Sequence, residues 1–172
     1  MKGRDKVMAV KKSFPYRAAF VACKGYCGTG KESQDAENAC RYGCIACGKC
    51  EEVCRFGAIA VRDNVACVDE ELCIACKRCV KECPQGIIRI HECADYIAVK
   101  CSNKEKGKTA LSCASSCIGS GICERVCTAE AIRVVENCAM INEELCLSCG
   151  MCAVKCPRHA IVDLRGLLTE LS

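Results

Sequence analysis

The sequence predicts an α+β fold made of two tandem modules with little regular secondary structure. Three observations predict it: an excess of cysteine, a shortage of large apolar side chains, and an internal repeat. Cysteine occupies 23 of 172 positions, while the chain has no Trp, three Phe and four Tyr. Because two small domains have few residues here with which to build hydrophobic cores, we expect covalent or metal cross-links to hold them together.

The internal repeat covers most of the chain. Residues 40–84 align without a gap with residues 113–157, and 21 of the 45 aligned positions are identical. We call these segments the first and the second repeat. The alignment predicts an N-terminal extension, a first module, a linker, a second module and a tail, at residues 1–38, 39–100, 101–111, 112–165 and 166–172.

Short strands are expected inside each module. Residues 58–62 and 65–68 flank a tight turn and predict a hairpin, and residues 131–141 repeat the pattern. Residues 87–90 and 96–99 are a candidate pair of strands to close the first module. The remaining expectations are two short helices and one solvated polar loop, at residues 77–82, 164–171 and 102–108.

Four cysteine motifs carry the chemistry. The spacing C-x2-C-x2-C-x3-C, followed by proline in two cases, is typical of bacterial two-cluster ferredoxins. In that pattern three thiolates bind one [4Fe-4S] cluster and the fourth binds the neighbouring cluster. The rule predicts site one at Cys44, Cys47, Cys50 and Cys83. It predicts site two at Cys73, Cys76, Cys79 and Cys54. It predicts site four at Cys146, Cys149, Cys152 and Cys127.

Site three departs from the rule. Its thiols are Cys117, Cys123 and Cys156, and Ser120 stands where the remaining cysteine is expected. The sequence leaves four outcomes open: a [3Fe-4S] cluster, a [4Fe-4S] cluster with Ser120 or water on one iron, rescue by Cys113, or an empty site. Three complete [4Fe-4S] sites and one altered site are therefore predicted.

Two other uses of cysteine are less favoured. Disulfides require an oxidising compartment, and residues 1–10 lack the apolar segment of an export signal, so a soluble cytoplasmic protein is expected. Zinc sites of four thiolates usually come as two separated C-x2-C pairs, whereas four cysteines run together here. The pattern favours iron and sulfide over both.

Eight cysteines fall outside the motifs. They are Cys23, Cys27, Cys40, Cys67, Cys93, Cys101, Cys113 and Cys138. We interpret them as small buried side chains near the metal sites, with an additional metal site as the alternative. Cys23 and Cys101 each follow a strand-like run, which suggests that they correspond. His91 and His159 are expected in loops or at the surface.

Charge and motifs restrict the function. The formal net charge is +4, from 25 basic and 21 acidic residues. Four clusters with their thiolates would reverse that sign, to roughly −4 when oxidised, so the basicity does not argue for nucleic-acid binding. No dinucleotide fingerprint, P-loop lysine or catalytic triad is present, which favours a non-catalytic subunit over an enzyme acting alone.

The sequence around the motifs resembles that of one family. VKCSNKEKGK at 99–108, with SC-x3-CIG at 112–119 and ICERVC at 122–127, is similar to the polyferredoxin region of the B subunit of Rnf-type electron transport complexes. FVACKG at 20–25 and the stretch at 39–54 are similar to an earlier part of the same family. The resemblance implies electron relay between reduced ferredoxin and other subunits at the membrane.

The departures from that family shape the prediction. We expect no membrane-anchoring helix and no separate four-cysteine domain, and Ser120 replaces a family cysteine. The sequence therefore predicts a soluble electron-transfer subunit that relays single electrons through about four clusters. Its expected partners are redox subunits of a ferredoxin-, flavin- or metal-dependent oxidoreductase complex. A freely diffusing polyferredoxin, a redox-sensing regulator and a zinc-binding structural protein remain open as alternatives.

Overall fold

The computed structural model describes residues 17–25, 40–92, 97–107 and 109–164. Within these ranges every element is short, and none of the helices exceeds five residues. The strands are β1 Arg17–Val21, β2 Ile59–Arg62, β3 Val65–Val68, β4 Ile88–Glu92, β5 Ile97–Val99, β6 Ile132–Val135, β7 Cys138–Ile141 and β8 Ile161–Asp163. The helices are α1 Lys49–Glu52, α2 Arg78–Glu82, α3 Ile122–Val126 and α4 Met151–Val154, with a 3₁₀ turn at Thr109–Ser112.

Each repeat contains one tight hairpin. β2 pairs antiparallel with β3, and β6 pairs antiparallel with β7, which confirms both predicted hairpins. Asp63 and Asn64 have φ of 47° and 61°, and Glu136 and Asn137 have φ of 47° and 65°. Two consecutive left-handed residues match the natural twist of paired strands, and short polar side chains such as Asp and Asn tolerate this conformation.

The outer strands pair differently from the expectation. β4 pairs antiparallel with β1, and β5 pairs antiparallel with β8. The predicted pairing of residues 87–90 with 96–99 is therefore wrong. β1 is buried at its last four positions and β5 is buried throughout, so each needs a covering strand to remove apolar surface from water. β4 and β8 provide that cover.

Two groups of buried residues form the interior. The first includes Phe20 of β1, Ile59 of β2 and Ile88 of β4, and the second includes Ile97 of β5 and Ile132 of β6. Cysteines of the predicted sites are part of both groups. β5 lies before the predicted module boundary at residue 100 and yet packs in the second group.

The segment between the repeats is fixed by hydrogen bonds. The Ser102 hydroxyl donates to the carbonyl of Tyr42 at 2.7 Å and to that of Ala22 at 3.3 Å. Asn103 is only 1% exposed, and its amide donates to the Ala110 carbonyl. Lys104 is exposed, as expected of a solvated loop. Ser102 therefore ties this segment to the first half, and the amide of Asn137, which donates to the carbonyl of Glu105, ties it to the second.

His91 does not lie at the surface. It is 3% exposed on β4, and its ring meets the Phe20 ring edge-on with centroids 5.3 Å apart. The expectation of a loop or surface position is wrong for His91, because β1 covers β4, whereas His159 is exposed as expected. The predicted helix at 77–82 is confirmed as α2. The one at 164–171 falls outside the described residues beyond Leu164.

Candidate metal centres

The four cysteine loops share one backbone device. Each contains two left-handed residues, placed two and four positions after its first cysteine: Ala46, Gly48, Ala75, Lys77, Gly119, Gly121, Ser148 and Gly150. Left-handed residues at alternate positions turn backbone N–H groups toward a common point, an arrangement suited to anions. The conformation costs an L-residue about 1–2 kcal/mol. The loops of sites one, two and four, each with at least one non-glycine residue in this conformation, therefore hold strain where their thiols converge.

Sites one and two each surround a cavity. The cavity at site one has about 350 Å³ of atom-free space, part of it open to solvent, and the four predicted thiols line it: Cys44, Cys47, Cys50 and Cys83. The cavity at site two has about 370 Å³ of such space, and the four predicted thiols again line it: Cys54, Cys73, Cys76 and Cys79. In both, the fourth cysteine comes from the loop of the other site.

Site three is built in the same way, but one of its four expected thiol positions is changed. Its cavity has about 340 Å³ of atom-free space and is lined by Cys117, Cys123, Cys156 and Ser120. Ser120 thus stands in the position that Cys47 occupies at site one. Cys113 is not among the residues lining this cavity, which argues against its rescue of the site.

At site four, electrostatics and packing relate the predicted thiols to one another. Burial, together with the charges of Cys146 and Cys149, raises the pKa of the Cys152 thiol to about 12. Cys127 packs in the same buried group as Cys152. The backbone N–H of Ser148 lies 3.4 Å from the Cys146 sulfur, and that of Ala131 lies 3.3 Å from the Cys127 sulfur. These sulfurs therefore already accept the donors that a thiolate needs.

At sites one and two, the exchanged fourth cysteine contributes to the pKa of another thiol at the same site. Burial raises the pKa of Cys50 to about 11, and the charges of Cys44 and Cys83 add to it. Burial likewise raises the pKa of Cys79, with smaller contributions that include Cys54. Thiols with raised pKa values are protonated at neutral pH, so metal binding there must release protons and tightens as the pH rises.

Cys23 and Cys101 occupy equivalent positions, as the sequence suggested. The sulfur of Cys23 accepts the backbone N–H of Cys44 at 3.4 Å, and that of Cys101 accepts the N–H of Cys117 at 3.2 Å. Cys44 and Cys117 are the first thiols of sites one and three. These two buried cysteines therefore hold the starts of the metal-site loops in place.

Cys138 has no cysteine counterpart in the first repeat, where Val65 stands. Its thiol donates to the carbonyl of Cys101 at 3.4 Å. The Cys138 thiol also hydrogen-bonds with the thiols of Cys101 and Cys117. Its hydrogen bond with Cys117 is the main reason why the pKa of Cys117 is lowered to about 6. The sequence offered no signal for this grouping, because the three cysteines come from separate segments.

The other cysteines outside the motifs differ in exposure. Cys40 and Cys113 are buried, as expected. Cys67 is exposed, so the interpretation as a buried side chain is wrong there: the outward face of β3 carries it. Cys27 and Cys93 lie outside the described residues.

The described ranges contain neither a compact single-ion site nor a membrane span. Between residues 17 and 164, gaps excepted, no three side chains of His, Cys, Asp or Glu are gathered closely enough for a single metal ion. None of the helices in the described part of the chain has the length and apolar character to cross a membrane.

Comparisons with known proteins agree with the motifs. The 4Fe-4S dicluster domain matches residues 43–87, and the 4Fe-4S binding domain matches residues 139–162. The B subunit of an ion-translocating oxidoreductase complex of Methanosarcina acetivorans is 37% identical over 91% of the chain. The B subunit of the Na⁺-translocating ferredoxin:NAD⁺ oxidoreductase complex of Acetobacterium woodii is 37% identical over 92%. Its counterpart in the proton-translocating ferredoxin:NAD⁺ oxidoreductase complex of Clostridium ljungdahlii is 33% identical over 84%.

The chain is a homologue of Rnf B subunits over about nine tenths of its own length. The resemblance of the linker and loops to this family is thereby confirmed. The chain spans 64%, 51% and 58% of the lengths of these three relatives, in the same order. The chain therefore contains ferredoxin-type 4Fe-4S domains with few helices and short strands.

Proposed function

We propose that this chain is an iron–sulfur electron-transfer subunit that relays single electrons through about four clusters between partners in a redox enzyme complex. The observation that carries the proposal is the lining of the cavities at sites one, two and three. In each, the side chains that the ferredoxin spacing selects surround a single cavity. A cluster bound there supplies one-electron chemistry that the protein side chains lack.

The residues fit such a group. Sites one and two offer four thiols around cavities whose other lining is largely apolar, and a covering of this kind limits access of solvent. Ala19 N–H lies 3.3 Å from the Cys73 sulfur at site two. Backbone donors of this kind stabilise negative charge on a ligating sulfur. We assign the ligands as the sequence predicts them.

Exchanged cysteines link the two sites of each repeat. Cys54 leaves the loop of site one and joins site two, and Cys83 does the reverse. In the second repeat the thiol of Cys152 at site four is in the electrostatic field of Cys123 at site three. We propose that each repeat is a two-cluster ferredoxin module and that an electron passes between its sites.

Passage between the repeats has a candidate location. One cleft is lined by Ala75 and Lys77 from the loop of site two, and by Glu143 and Glu144, which precede the loop of site four. We propose that electrons cross from one repeat to the other beside this cleft. The doubled module then connects two docking surfaces further apart than a single ferredoxin allows.

The partners are proposed by analogy with the relatives. Two of them are named as subunits of ferredoxin:NAD⁺ oxidoreductase complexes. We therefore propose a low-potential ferredoxin as donor and a flavin- or metal-dependent redox subunit as acceptor. Isolation of the chain in a stoichiometric complex would support a fixed subunit, and isolation as a free monomer would favour a diffusing polyferredoxin.

Metal analysis tests the function directly. The chain is purified without oxygen, and iron, acid-labile sulfide and zinc are measured per chain, with EPR spectra of oxidised and reduced samples. About 16 irons with matched sulfide support four [4Fe-4S] clusters, and about 15 irons with a three-iron signal locate the altered cluster at Ser120. Stoichiometric zinc with little sulfide would overturn the electron-transfer proposal.

A matched pair of variants sharpens the test at site three. Ser120→Cys gives this site the side chain of site one, and Cys47→Ser gives site one the side chain of site three. If site three holds three irons, Ser120→Cys adds about one iron and removes the three-iron signal, while Cys47→Ser has the opposite effect. An unchanged iron count in both variants would instead favour a [4Fe-4S] cluster at site three with Ser120 or water on one iron.

A further inference from the structure

Site three differs from its twin, site one, in charge as well as in Ser120. Arg158 lines the cavity of site three, whereas the equivalent residue at site one is the neutral Gln85. Among the residues lining the cavity of site one, none carries a basic or acidic side chain. The guanidinium of Arg158 therefore brings a positive charge that the twin site lacks.

One atom of Arg158 lacks a protein partner. Its Nη2 donates to the carbonyl of Cys113 at 2.7 Å, which fixes the side chain. Its Nε is buried and has no acceptor among the described residues. A buried unsatisfied N–H of a charged group is costly, so an acceptor is expected beside it. A negatively charged group held by the thiols of the same cavity provides one.

Lys24 brings a second cation to the same site. Its ammonium donates to the carbonyl of His159 at 2.5 Å, three residues after Cys156. Burial lowers the pKa of Lys24, and the charge of Cys156 opposes this effect, so the ammonium lies within the field of that thiol. The equivalent residue in the second half is Ser102, which carries no charge and bonds to carbonyls of the first half.

These charges act in the same direction. Ser120 takes the place of one thiolate, and Arg158 and Lys24 add two positive charges. Adding one electron to a site makes it more negative by one unit, with no bond broken and no proton required. Nearby cations stabilise the reduced state and raise the reduction potential, and the effect is strong where water is excluded.

We propose that Arg158 and Lys24 give site three a higher reduction potential than its twin, site one, so that an electron shared between these two sites favours site three. The inference rests on the proposed relay function and adds a direction to it. Of these twin sites, the one in the second repeat then holds the electron. Both residues are positioning residues: each places a positive charge beside the group that the thiols hold.

The test is an EPR-monitored redox titration of the whole chain, purified anaerobically. Arg158→Gln installs the residue of the twin site, and Lys24→Ser installs the residue of the equivalent segment. We expect Arg158→Gln to lower the ratio of reduced to oxidised site three at least tenfold at a fixed potential, equivalent to about 59 mV. We expect a smaller shift in the same direction for Lys24→Ser.

Three further variants separate charge from structure. Arg158→Lys keeps the positive charge, so site three should retain most of its higher reduction potential relative to site one. Gln85→Arg should raise the potential of site one. Arg133→Gln, which removes an exposed arginine paired with Glu130, should shift nothing. The signal of site three is identified by its change in Ser120→Cys.

The outcomes distinguish this inference from the proposed function. Unchanged potentials in Arg158→Gln and Lys24→Ser, with iron content intact, would overturn the inference and leave the relay standing. If the Arg158→Gln variant does not take up iron and sulfide at site three, the Gln85→Arg variant provides the test. An unchanged reduction potential of site one in that variant would overturn the inference. A wild-type chain without iron and sulfide would instead overturn the proposed function itself.

Discussion

The two repeats share one backbone fold but differ in the side chains at its surface. Around the loop of site two, Lys77, Arg78 and Lys81 are exposed, and the equivalent positions at site four are Gly150, Met151 and Val154. Val154 is 56% exposed and Met151 is 45% exposed. The left-handed conformation is nevertheless the same at Lys77 and Gly150, with φ of 63° and 76°. Thiol spacing and backbone shape are thus retained, while the outer surface diverges.

The differences between the twin sites one and three are fewer. Site three exchanges a thiol for Ser120 and a neutral amide for Arg158, and its loop has Gly119 where site one has Ala46. The hairpins, helices and outer strands are otherwise equivalent. The comparison teaches that duplication preserved the architecture and left individual sites free to change their electrostatics and their partners.

Removal of a ligand gives the largest expected difference between the repeats. Cys123→Ser leaves site three with two thiols, and we expect it to lose all its iron and to destabilise the second repeat by about 4 kcal/mol or more. Cys50→Ser leaves three thiols at site one, so most of its iron should remain. Iron and sulfide analysis with anaerobic denaturant unfolding measures both. Equal iron loss in the two variants would break the comparison.

Core truncation should affect both repeats alike. Ile132 is 1% exposed and its equivalent Ile59 is 3% exposed. Replacing either by alanine removes buried methyl groups and leaves a cavity, which costs about 2–5 kcal/mol. Denaturant unfolding of the iron-loaded variants checks this. A cost for Ile132→Ala more than twice that for Ile59→Ala would show that the second repeat depends more heavily on its apolar core.

The loop of site three should resist a side chain that site one accepts. A Cβ on Gly119 would overlap the side chain of Asn137, with Asn137 Cγ 2.9 Å away, and φ there is +63°. Gly119→Ala should cost about 1–3 kcal/mol, because the hairpin must move. Ala46→Gly relieves a left-handed alanine and should change stability by less than about 1 kcal/mol. Thermal inactivation followed by cluster absorbance compares the pair, and a neutral Gly119→Ala would contradict the close packing.

Exchange of the surface chemistry should have the smallest effect on stability. The triple change Lys77→Gly, Arg78→Met and Lys81→Val gives site two the outer surface of site four, with a change within about 0.5 kcal/mol. Electron uptake from a small acidic ferredoxin should slow several-fold at low salt. At about 1 M salt, where screening shortens to about 3 Å, the difference should vanish. A slowing that persists at high salt would point to lost contacts rather than lost charge.

Local patterns predicted the local structure. Asp63-Asn64 marked a tight turn, and the cysteine spacing selected the side chains that line sites one to three. The outer strands escaped prediction because β1 and β4 lie about seventy residues apart, and two apolar runs carry no information about which strand each will cover. For the same reason no local pattern indicated that His91 is buried or that Lys24 reaches His159.

The pairing of outer strands has a consequence for synthesis on the ribosome. β1 and β5 each precede their repeat, and their partners β4 and β8 follow it. The first half can close once Glu92 has left the exit tunnel, while the second half waits for Asp163. Until then the nascent second half has unpaired strand edges, a state prone to misassembly. Iron and sulfide delivered to the second half before Asp163 emerges therefore meet a site whose outer strands are still unpaired.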